Sequence, residues 1–324
     1  MKLFLIVTLF IYSVNADEYL SYEVEPFTDE IVNGINALNT TWKAGKNFNG
    51  SSVQIDTLVP THEKLWSYPR DFPIRKYGSC KLPVNFDARV AWPNCTSIGK
   101  IYDQTKGYPS WIYTAVGTIA DRLCTKHGVQ IDVKATVEHM VKTNVDFKNY
   151  YNSANIGQAL KYWAKNGIFT VESVKESSCL PLSQKCQSNE IKLDKYFKVT
   201  NEVLKYESEV MKSIKLYGPV SAYMEVYADF LSYVSGVYKR YSENYVGYHN
   251  IKIIGWGTEN GVDYLLATNS WGTEWGEEGF FKLKRNAQQL GFGTNPISTS
   301  LMPVDNEKDI PRSYVHGQLF YLAK

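Results

Sequence analysis

Asp103-Gln104-Thr105-Lys106-Gly107-Tyr108-Pro109-Ser110-Trp111 is the stretch on which the reading of the fold turns. Beyond it, Trp111, Ala115, Ile119 and Leu123 recur at four-residue spacing, which predicts a buried helix beginning at Ser110. A hydroxyl at that point is an ordinary N-cap, and this is the first expectation for Ser110. Further on, Ile156, Leu160 and Trp163 mark a second helix stopped at Asn166-Gly167, and Val210, Met211 and Ile214 a third ended by Gly218-Pro219. The pattern then changes to short β-prone runs over 220–226, 250–255, 264–269 and 280–283, punctuated by glycine. A helical half followed by a strand-rich half predicts an α+β protein of two lobes, with the cleft between them as the substrate site.

Upstream of the stretch, Thr28-Asp29-Glu30 can cap and charge a helix carrying Ile31, Ile35 and Leu38. Residues 49–78 are polar and proline-bearing and read as a linker draped over the rest. Residues 1–16 read as a signal peptide: Met1-Lys2, an apolar run from Leu3 to Val14, then small residues through Ala16. That run is too short to span a bilayer. Sequons at Asn39-Thr40-Thr41, Asn49-Gly50-Ser51 and Asn94-Cys95-Thr96 agree with secretion, to the exterior or a lysosomal lumen. Five cysteines permit two bridges and leave one over; the sequence does not fix the pairing, and Cys95–Cys124 with Cys179–Cys186, leaving Cys80 free, is the expected arrangement. A net charge of +2 without a Lys/Arg stripe excludes a nucleic-acid binder. His62, His127, His139 and His316 lack ligand spacing, so no metal or other cofactor is expected.

Two more strings join the first: Gly247-Tyr248-His249-Asn250 and Asn269-Ser270-Trp271-Gly272. A helix-start residue followed well over a hundred positions later by His and then Asn is the layout of thiol proteases. The chain resembles the papain family, in its cathepsin B-like branch, over nearly its whole length. Asn39-Thr40-Thr41-Trp42-Lys43-Ala44-Gly45-Lys46-Asn47-Phe48 is similar to that branch's pro-segment, and Leu82-Pro83-Val84-Asn85-Phe86-Asp87-Ala88-Arg89 to its mature start. Gly255-Trp256-Gly257 and Asn269 to Gly276 complete the likeness. The resemblance implies a papain-like fold: a pro-segment over 17–81 and a peptidase domain over 82–324, its helical lobe about 82–200 and its strand-rich lobe about 201–310. It also implies His249 as general base, Asn269 as the group orienting its ring, Trp271 as a shield, and Gln104 as an oxyanion-hole donor beside the N–H of residue 110.

The family pattern breaks at the nucleophile, where Ser110 stands in place of cysteine. A thiol of ordinary pKa about 8.5 ionises in such a site; an alcohol does not. Tyr108 and Tyr248 replace glycines and are expected to fill the cleft, residues 148–152 replace a glycine-rich substrate-pairing run, and the family's occluding loop is reduced to the stretch 179–186. The expectation is a non-catalytic, monomeric binding protein for peptides, protease inhibitors or matrix proteins. The alternative is an active hydrolase using Ser110, His249 and Asn269.

Overall fold

The computed structural model describes residues 26–48, 55–59, 72–106, 108–143, 156–174, 191–286, 297–303 and 319–323. Seven helices are described: α1 Asp29–Ala37, α2 Ile55–Leu58, α3 Ala88–Ala91, α4 Ser110–His127, α5 Val133–Thr143, α6 Ile156–Asn166 and α7 Glu207–Tyr217. The strands are β1 Trp42–Ala44, β2 Phe86–Asp87, β3 Ile168–Val174, β4 Ile191–Val203, β5 Val220–Tyr227, β6 Tyr233–Tyr238, β7 Tyr245–Glu259, β8 Val262–Thr268, β9 Phe280–Lys284, β10 Ile297–Pro303 and β11 Leu319–Tyr321. They form a sheet in the order β1-β6-β9-β8-β7-β5-β10-β4-β3-β11, with β2 added against β7. The architecture is the papain-like α+β fold expected from the sequence. Among the described residues no helix is long and apolar enough to cross a membrane.

Two cores explain the division. Trp111, Ile119, Leu160, Trp163 and Phe320 cluster around α4, α5 and α6, whereas Trp256, Trp271, Trp275, Phe230 and Phe281 fill the strand-rich side. Helix α4 is buried on every face from Ser110 to Cys124, so its polar side chains must find partners inside. Asp121 pairs with Lys252 at 2.7 Å and accepts from Ser97 at 2.6 Å. Arg122 donates to the carbonyls of Pro219 and Gly218 and to Ser213, while burial pulls its guanidinium down to about 10. These ties run from α4 to β7 and to the end of α7, and they fix where the start of α4 lies. Gly128, in the left-handed region at φ 68°, ends the helix.

The Cys95–Cys124 bridge forms, and Cys80 is free. Cys179, Cys186, the 148–152 run, the Asn49 sequon and residues 1–25 lie outside the described residues. Helix α1 starts where expected, the Thr28 hydroxyl accepting the Ile31 N–H. Helix α5 and strands β3 and β4 go beyond the elements expected from the sequence. Both signals were present: Val133, Val137 and Met140 repeat at helical spacing, and Phe197, Val199, Asn201 and Val203 alternate inward.

Described parts of the chain before Leu82, residues 26–48 and 55–59, pack into the body. Trp42–Ala44 adds as an antiparallel strand to Tyr233–Tyr238. Trp42 is 1% exposed, lies 5.1 Å from the Tyr238 ring and donates its indole N–H to Lys239 O. Asn47 donates to Leu231 O and Tyr233 O, and a Cβ on Gly45 would meet Val234 at 2.7 Å. The Trp-x-Ala-Gly-x-Asn-Phe spacing is therefore the spacing of one docking strand.

Candidate active site

The residues singled out from the sequence come from four elements. Gln104 opens a short 3-10 turn, Ser110 begins α4, His249 sits in β7, and Asn269 follows β8. Backbone bonds between Gln104 N and Ser270 O (2.8 Å) and between Gly272 N and Tyr102 O (3.0 Å) bring the first and last together. Ser270 Oγ donates to Gln104 Oε1 at 2.7 Å and holds the amide in one orientation.

His249 is fully buried, and its Nε2 lies 2.7 Å from Asn269 Oδ1. Asn269 Oδ1 also accepts the backbone N–H of Ser270 at 2.7 Å, so this atom is the carbonyl oxygen of the amide. The hydrogen of the neutral ring therefore resides on Nε2, and Nδ1 presents a lone pair. The Trp271 ring lies 4.8 Å from the imidazole and is itself 1% exposed, excluding water from the pair. Burial pulls the imidazolium down to about 4, against the opposing pull of the Asn269 bond. At neutral pH the ring is uncharged and able to take a proton.

Ser110 departs from the expectation. The N-cap of α4 is Pro109, with no side-chain capping bond, and Ser110 is the first residue inside the helix. Its Oγ accepts from Asn250 Nδ2 at 3.4 Å. No hydrogen bond joins Oγ to His249, whose buried Nδ1 has no partner among the described residues.

Gln104 is engaged by the N-terminal segment. Its Nε2 donates to Thr57 O at 2.8 Å and to Leu58 O at 3.0 Å, at the end of α2. The Trp271 indole donates to the same Leu58 oxygen at 3.1 Å. Leu58 and Val59 are fully buried, and Val59 rests against Gly247, where a Cβ would meet it at 2.7 Å. Each tyrosine expected to fill the cleft packs against another ring. Tyr248 stacks on Tyr223 at 4.7 Å, and Tyr108 meets Tyr113 edge-on at 6.1 Å. The occupant of the Gln104 amide is thus a backbone carbonyl, which carries no signature in the sequence. Asn250 was legible as a letter beside His249, yet its role depends on a rotamer.

Comparison with known proteins identifies the family and the fold. The family described as papain family cysteine protease matches residues 82–300. Cathepsin B-like cysteine proteinase 3 of Caenorhabditis elegans is 37% identical over 245 residues, 67% of this chain and 65% of that protein, so the chain spans just under two thirds of that relative's length. The cathepsin B-like cysteine proteinase of Schistosoma japonicum is 27% identical over 85% of this chain and 91% of its own. Among solved structures, procathepsin B S9 from Trypanosoma congolense superposes with a TM-score of 0.70 at 24% identity, covering 85% of this chain and 98% of that one.

Proposed function

The chain belongs to the papain family of cysteine proteases, with cathepsin B-like relatives, and from that membership we propose that it binds rather than cuts. In this reading Ser110 occupies the nucleophile position, His249 and Asn269 the base and its orienting group, and Gln104 the oxyanion hole. Residues 1–16 are a signal peptide, 17–81 a retained pro-segment and 82–324 the peptidase-type domain. The product is secreted, or delivered to a lysosomal lumen, as a monomer. Its ligands are peptides, protease inhibitors or matrix proteins.

The observation that carries this reading is the missing bond between Ser110 Oγ and His249 Nδ1. An alcohol is not ionised at rest and must lose its proton to a base in contact as it attacks. Here the base is neutral and correctly tautomeric, but no hydrogen bond links it to the hydroxyl, whose oxygen accepts from Asn250. The Leu58 carbonyl held by Gln104 and Trp271 adds a second obstruction, since a substrate carbonyl would need the same donor.

A second reading, hydrolysis by Ser110, draws support from the intact His249–Asn269 contact and from relatives named as proteinases. Incubation with a fluorogenic peptide library separates the two. The native protein is expected to give no turnover above that of Ser110→Ala. Turnover that disappears in Ser110→Ala would establish the hydrolase instead.

A further inference from the structure

Three buried polar atoms of the site have no hydrogen-bond partner among the described residues: His249 Nδ1, Asn250 Oδ1 and Asn269 Nδ2. Buried polar groups are ordinarily paired, so each of these three calls for a physical account. Asn250 is 1% exposed and cannot turn to water. Its backbone oxygen accepts from Thr114 Oγ1 on α4, so strand β7 and the helix bearing Ser110 are in register at this residue. Its side chain uses an N–H on Ser110 Oγ and leaves its own oxygen unsatisfied.

We propose that Asn250 is a positioning residue for Ser110: its amide holds the hydroxyl off His249 Nδ1 and keeps the pair unengaged. A hydroxyl has one hydrogen and two lone pairs. The Asn250 amide occupies one lone pair and draws Oγ to its side, and in that position Oγ makes no hydrogen bond with Nδ1. Removing the amide frees the hydroxyl to rotate, and the nearest unsatisfied acceptor already identified is Nδ1. The inference rests on the proposed non-catalytic reading and gives its stereochemical cause.

The test is the ¹⁵N resonance of His249 Nδ1 in the full-length chain at pH 7, assigned by its loss in His249→Gln. In the native protein Nδ1 is expected at the position of an imidazole nitrogen that accepts no hydrogen bond. In Asn250→Ala the signal is expected to move upfield as Ser110 begins to donate, and to return in Asn250→Ala/Ser110→Ala. A native resonance already showing an accepted hydrogen bond overturns the proposal without recourse to any variant. So does an unmoved signal in a cooperatively folded Asn250→Ala, or a shift that persists when Ser110 is also removed. Turnover by the native protein would defeat the non-catalytic reading, whereas these shifts judge Asn250 alone.

Discussion

At the scale of single residues, two buried groups titrate in opposite senses across one acid window. Asp229 is fully buried, accepts from Tyr238 Oη and from the N–H groups of Tyr241 and Ser242, and is pushed by burial up to about 6. The native state then holds that proton more tightly than the unfolded chain, so this group's contribution to stability falls as pH rises from about 4 to 6, by roughly 3 kcal/mol. His249, pulled down to about 4, does the reverse: its contribution is complete above about 6.5 and is lost as pH falls towards 4, again by roughly 3 kcal/mol. Urea denaturation of Asp229→Asn should give a variant-minus-parent stability difference that rises with pH over this window. The same difference for His249→Gln should fall. Slopes of equal sign would contradict the buried states described for these groups. His249, Asn269 and Gln104 were legible by type and order, and Ser110 was legible by its place at the start of α4 although its letter departs from the family pattern. The roles of Asn250 and of the Leu58 carbonyl were not, since one depends on a side-chain torsion and the other on an atom common to every residue.

At the scale of elements, the decisive contact is the pairing of Trp42–Ala44 with Tyr233–Tyr238. Strand addition satisfies backbone groups regardless of sequence, so specificity comes from the side chains at its ends. Trp42 sits against Tyr233 and Tyr238, and Asn36 spans from α1 to both backbone groups of Ala44. Trp42→Ala removes a fully enclosed indole and should destabilise the docked segment by about 3–5 kcal/mol. Hydrogen exchange of the Ala44 and Val237 amides should quicken by two orders of magnitude or more, while amides within α4 keep their protection. Uniform acceleration through α4 would mean that the segment is part of one cooperative unit rather than a separately docked strand. The sequence showed α1, α4, α6 and α7 and the strands β5, β7, β8 and β9 through their periodicities. It did not show β1 or β11, each three residues long, which exist only because a partner edge is available.

At the scale of the whole molecule, the N-terminal segment, the strand-rich core and the start of α4 meet at one site. Leu58 and Val59 belong to the same apolar cluster as Trp271 and Phe230, so covering the site and completing the core are one event. In the proposed reading no thiolate is present to cut the segment away, and the segment remains part of the mature molecule. Protein recovered from the medium of a protease-deficient host should therefore retain residues 26–48, as read by intact mass. A uniform product beginning near Leu82 would require a cutting activity in the chain itself. The cores and the two-lobed arrangement were readable from apolar spacing. The covering of one part of the chain by another was not, because linker composition says that residues 49–78 run over the surface without saying where they land.

The central claim is that the Ser110 oxygen does not attack carbonyl groups. Intact mass spectrometry of the native protein after incubation with a peptidyl p-nitrophenyl ester tests it directly. The predicted result is an unchanged mass, the same as for Ser110→Ala treated in parallel. An acyl adduct that maps to Ser110, and is absent from that variant, would contradict it.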